Sequence, residues 1–134
     1  MAAAKRGMLL AVMTTALLAS GCGAMGNPPG ASFAPGADLT VASSGLCRAI
    51  AALPDTATAR RTFVNTAHAA LHALAAAPGL DRGLAAGVLE SMQRVEADFA
   101  TIATQKTLTA DLQDLTAKAD AALRAIGQTP PPCG

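Results

Sequence analysis

The sequence predicts an all-α protein, a small antiparallel helical bundle of three to four helices over residues 43–134. Three observations lead there. Apolar residues recur at three- and four-residue spacing through four successive segments. β-branched residues never alternate over a useful stretch, and aromatic residues make up only 2% of the chain, so strand signals are weak. Turn formers such as Pro54-Asp55 and Pro78-Gly79 interrupt the periodic segments, as short helix–helix connections require.

Each element has its own justification. In SSGLCRAIAAL, Leu46, Ile50 and Leu53 stand at i, i+4 and i+7, and Ser43 or Ser44 is placed to cap the helix. Pro54 ends it. Asp55 then caps a second helix that runs to about Ala77, with Phe63, Ala67, Ala70, Leu71 and Leu74 on one stripe. A third helix starts near Asp81 and carries Leu84, Val88, Met92, Val95, Phe99 and Ile102 on one face. Its Glu90, Arg94 and Asp98, four residues apart, are expected to form a solvated charge ladder. The fourth, from about Thr107 to Ile126, repeats Leu108, Leu112, Leu115, Ala119, Leu123 and Ile126 before Gly127 stops it. TPPPCG follows as an extended tail. The faces are rich in alanine, which lets helices approach closely but buries little area at each contact.

The N-terminus has a different character. Lys5 and Arg6 precede an uncharged run from Gly7 to Leu18, about a dozen residues, against the ~20 needed to cross a bilayer. Ala19, Ser20 and Gly21 follow, small enough for a peptidase cleft. This is the pattern of an export signal. The stretch Leu18-Ala19-Ser20-Gly21-Cys22 resembles the lipobox of bacterial lipoproteins, although Ala19 stands where that class most often has Leu. The resemblance covers residues 1–22. It implies that residues 1–21 are removed, that Cys22 receives a diacylglyceryl group, and that the mature protein is anchored at the outer face of a bacterial cell membrane or outer membrane. Ordinary secretory cleavage would cut at the same bond and leave Cys22 free.

Residues 22–42, rich in Gly, Pro and Ala with the single charge Asp38, read as a flexible tether. A chain of that length has a mean reach of roughly 25 Å. Three cysteines occur, Cys22, Cys47 and Cys133. Lipidation of Cys22 leaves Cys47 and Cys133 as an even pair outside the cytosol, where a bridge is expected. That bridge would close nearly the whole domain into one loop, worth roughly 4–5 kcal/mol on the loop-entropy argument.

Chemistry is sparse. His68 and His72 lie one helical turn apart, a spacing that binds zinc once a third ligand arrives. Helical geometry puts both about 100–140° from the apolar stripe, beside Arg61 and Asn65. The expected reading is a solvated polar face, and a weak metal site completed by a carboxylate from another helix is the alternative. Asp111 and Asp114 belong to an exposed helix face. Ser43, Ser44 and Ser91 have no local histidine. GLAAG, from Gly83 to Gly87, matches a spacing that matters in long apolar spans and here opens an amphipathic helix. No catalytic residue or cofactor site is expected.

Charge adds little. The formal net charge is +1, and loss of Lys5 and Arg6 leaves eight basic against nine acidic side chains. No basic stripe suits nucleic acid. There is no Trp or Tyr to stack on sugars. Four of the five methionines precede residue 26, which disfavours a Met-based copper carrier. The composition therefore points to a non-catalytic, membrane-anchored module that works through an envelope protein partner. A helical module for a small apolar ligand or lipid is the second expectation, and metal binding through His68 and His72 the third.

Overall fold

The computed structural model describes residues 38–134. The expected signal peptide, the lipid-accepting Cys22 and most of the tether lie outside those residues. The described chain is four helical rods packed antiparallel, with no strand. α1 spans Val41–Ala51. The second rod is α2 (Thr56–Thr62), a π-helical segment Phe63–His68, and α3 (Ala69–Ala75). α4 spans Arg82–Thr101 and α5 Gln105–Ala125.

α1 begins two residues before the expected boundary, and neither Ser43 nor Ser44 caps it. A turn at Asp38, Leu39 and Thr40 leads in, held by the Thr40 amide donating to Asp38 Oδ1 at 2.9 Å. Ala42 and Ser43 are fully buried. Ser43 faces the bundle because the helix starts early, and its hydroxyl donates to Asp120 Oδ1 on α5 at 2.6 Å.

The other helix starts follow from their caps. Asp55 Oδ1 accepts from Thr58 N at 3.0 Å, and Asp81 Oδ1 accepts from Gly83 N at 2.8 Å and Leu84 N at 3.2 Å. Thr104 Oγ1 accepts from Thr107 N at 3.2 Å, so α5 opens at Gln105, slightly ahead of the expected Thr107. Each oxygen satisfies amides that have no partner inside the helix. α4 ends at Ile102, in the left-handed region at φ 57° and ψ 48°, where the Ala103 amide returns to Asp98 O at 3.2 Å. α5 ends at Gly127, φ 79°, with Gln128 N bonding Leu123 O at 2.9 Å. That closure needs a left-handed residue, which glycine adopts without a Cβ clash.

The core is one contiguous cluster. Leu46, Phe63, Leu71, Leu74, Val88, Val95, Leu108, Leu112, Leu115 and Leu123 are its fully buried large side chains, with Ala42, Ala49, Ala67, Ala70, Ala119 and Ala122 between them. The predicted stripes of the second and fourth helices are thus the core faces. Ile102 departs from its stripe and is 92% exposed, because the left-handed turn at its own backbone carries it out of the helix. Gly45 is the close contact. A Cβ there would lie 2.9 Å from Thr66 Oγ1 and 3.0 Å from Ala67 Cα, so α1 rests directly on the π-helical backbone.

The expected bridge is present. Cys47 and Cys133 are disulfide-bonded with Cα atoms 5.2 Å apart, across a separation of 86 residues. The tail after Gly127 turns back along α1 and α5 to reach Cys47.

Candidate functional site

The π-helical segment creates the most distinctive surface. A π turn fits an extra residue into the winding and so alters which side chains share a face along it. His68, within that segment, is half-buried against α4, where a solvated face is expected from sequence. Its Nε2 lies 2.7 Å from Glu96 Oε1. With Glu96 ionised, Nε2 carries the proton and donates. Both side chains are about one-third to two-fifths exposed, so the pair orients the imidazole more than it stabilises the fold.

Around that pair is a groove of about 270 Å³ lined by Arg60, Phe63, Val64, His68, Glu96 and Phe99. The rings of Phe63 and Phe99 lie 5.8 Å apart between centroids, and Phe63 meets His68 edge-on at 5.9 Å. Val64 is 53% exposed. Arg60 and Arg61 make no ion pair among the described residues; Arg61 donates to Thr58 Oγ1 at 3.1 Å. The result is an apolar floor with a cationic edge.

His72 stays exposed, its ring 4.8 Å from that of His68 and edge-on to it. Glu96 is the carboxylate from another helix that a metal site would need, yet it engages His68 directly. Among the described residues no group of three or more His, Cys, Asp or Glu side chains is arranged to hold a metal ion.

A second polar cluster lies between α4 and α5. The expected ladder of Glu90, Arg94 and Asp98 along α4 does not form. Arg94 instead crosses to α5, 3.6 Å from both Asp111 Oδ1 and Asp114 Oδ2. Ser91, 1% exposed, donates to Asp114 Oδ2 at 2.7 Å and accepts from Lys118 Nζ at 2.6 Å. Lys118 also bonds Asp114 at 2.8 Å. Asp111 and Asp114 are accordingly half-buried, where a fully exposed face is predicted from sequence. A serine beside a lysine suggests a nucleophile and its base. Here the ammonium is ion-paired with Asp114 and the hydroxyl is enclosed, so the trio joins two helices.

The lysine and serine bonds hold the Asp114 carboxyl below the usual carboxylate range. Asp98 moves the other way. Burial, then the facing Asp111 carboxyl, raise its pKa above the ordinary value of 3.8, and Arg94 only partly compensates. Asp98 Oδ2 is buried with no hydrogen-bond partner among the described residues.

The third feature is a groove of about 440 Å³ between α1, α5 and the tail. Ile50, Ala51, Thr116 and Ala117 form its walls, with the Cys47–Cys133 bond and Asp120 at its edges. A third depression, about 490 Å³, is lined only by α5 residues from Gln105 to Gln113 and is the open outer face of that helix.

Sequence reasoning located His68, His72, Cys47 and Cys133. It missed Glu96, Lys118 and Asp120 as partners. The available signal was serine placement: Ser91 sits between Val88 and Val95 on the apolar side of its helix, where a hydroxyl needs a partner. No helix among the described residues is long and apolar enough to cross a membrane. Comparison with protein-family models, with curated proteins and with solved structures finds no match to this chain.

Proposed function

We propose that the protein is a bacterial lipoprotein, acylated at Cys22, whose disulfide-closed bundle acts without catalysis at the outer face of the membrane through contact with another envelope protein. The observation that carries this reading is the stretch Leu18–Cys22 behind a charged, then apolar, N-terminus. Cysteine pairing supports it. With Cys47 bonded to Cys133, Cys22 is the one cysteine of three left over, at the position the lipobox resemblance assigns to the lipid.

The character of the bundle supports the non-catalytic part. The enclosed serine and the oriented histidine both bind within the fold, so neither is positioned as a nucleophile or a free base. The groove at the π turn offers apolar area ringed by polar groups, the composition of a contact surface. The concavities described lie on the outside of a core filled by leucine and alanine, which favours contact over enclosure of a lipid.

Growth with a labelled fatty acid tests the anchor: label should enter the wild-type protein and be absent from Cys22→Ala. An unlabelled wild type removes the proposal. A photo-crosslinker at position 64, in the native envelope, should then capture a discrete protein partner that a crosslinker at Arg124 does not.

A further inference from the structure

The segment after Gly127 is tied to the bundle in an unusual way. Beyond Gln128 its main chain makes no hydrogen bond to any other described residue. Pro130, Pro131 and Pro132 have no amide to donate, so the segment has little means of zipping onto a helix. The covalent link at Cys133 is its one bond to α1. Cys133 and Gly134 are exposed, and a Cβ at Gly134 would meet nothing within 4 Å. Cys47 is half-buried on α1. Neither cysteine belongs to the buried core cluster, which the four rods complete by themselves.

Thiol–disulfide exchange requires a thiolate to approach one sulfur from the side opposite the other, and access selects the sulfur attacked. Cys133 is the exposed residue of the pair, and Cys47 is half-buried on α1, so Cys133 is the more open to attack. We infer that the Cys47–Cys133 bond is a site of thiol exchange for an external dithiol, attacked at Cys133, and that its opening releases the tail from the α1–α5 groove while the bundle stays folded.

One thiolate of the dithiol forms a bond to Cys133 Sγ as the Cys47–Cys133 bond breaks, and the electron pair leaves on Cys47 Sγ, which takes a proton from water. The second thiol of the reagent loses its proton and attacks its own partner sulfur in the mixed disulfide. Cys133 departs as a thiolate and is protonated. The dithiol is oxidised by two electrons and the protein reduced by two. What widens is the groove walled by Ile50, Ala51, Thr116 and Ala117, which loses the Cys133 edge.

The test uses the full-length protein in detergent without denaturant. Glutathione followed by a rapid maleimide quench should yield a species with glutathione on Cys133 and maleimide on Cys47, mapped by peptide mass. Dithiothreitol should then reduce the bond fully, sharpen the NMR signals of Thr129, Cys133 and Gly134 to those of a mobile chain end, and leave the far-ultraviolet helix signal intact. The variant carrying both Cys47→Ala and Cys133→Ala should show that same helix signal. Glutathione on Cys47 instead, reduction only in denaturant, or loss of the helix signal on reduction would each overturn the inference.

Discussion

Gly45 lies where α1 meets the π-helical backbone, and its missing side chain sets that distance. Alanine is the better helix former by about 1 kcal/mol. Its Cβ, however, would stand 3.0 Å from Ala67 Cα, a backbone atom with nowhere to move. Overpacking costs typically 1–3 kcal/mol, and contacts at 2.9 Å to Thr66 Oγ1 and 3.0 Å to both Ala67 Cα and Cβ put this site in the upper part of that range, so sterics outweigh propensity by about 1–2 kcal/mol. Gly45→Ala should lower the melting temperature by roughly 5–15 °C, from the usual 4–8 °C per kcal/mol for a domain this small. An unchanged or raised value would show that the helices part at no cost. Asp98 makes the opposite prediction. Its folded pKa is raised, so the native state binds its proton more tightly than the unfolded chain does. Stability from this group is therefore present at low pH and falls as pH rises from about the ordinary value of 3.8 through the raised one. Asp98→Asn removes the buried charge and offers an amide to Asp111. It should melt higher than wild type at pH 7, and the difference should vanish at pH 3, as thermal scans at the two values would show.

Between elements, the α4–α5 seam shows what periodicity reveals and what it conceals. The apolar stripe of Leu108, Leu112 and Leu115 was legible because every third or fourth residue must face the core. The polar seam beside it was not. Whether Arg94 pairs along its own helix or across to Asp111 and Asp114 depends on how two helices cross, and no spacing in one helix encodes that. The π turn was concealed for a similar reason. Phe63, Ala67 and Leu71 suit an unbroken α-helix, and the extra residue belongs to the surface where the second rod meets Gly45 and α4. With it went the pairing of His68 and Glu96. Ser91 gives the seam a measurable weight. Ser91→Ala removes a hydroxyl that serves Asp114 and Lys118 together, both of them partly solvated. The expected cost is about 1–2 kcal/mol by urea denaturation, with the helix content of the folded protein unchanged.

At the scale of the whole molecule, a small domain with an alanine-rich core is closed by one covalent link near each end of its chain. Loop entropy gives that link roughly 4–5 kcal/mol, added to a core of leucine and alanine that includes neither cysteine. The pairing was legible from cysteine parity once Cys22 was set aside for a lipid, so the anchor and the bridge stand as parts of one argument. The tail's path between α1 and α5 was not legible, since nothing in TPPPCG fixes its direction. The proposed anchor sits sixteen residues before the first described residue, Asp38, and the tether keeps whatever the bundle contacts near the membrane. Intact-mass spectrometry of the protein extracted from membranes tests the central claim most directly. The account predicts a chain that begins at Cys22, carries a diacylglyceryl group there, and lacks two hydrogens for the Cys47–Cys133 bond. A chain that retains Met1, or one that begins at Cys22 with an unmodified thiol, would contradict it.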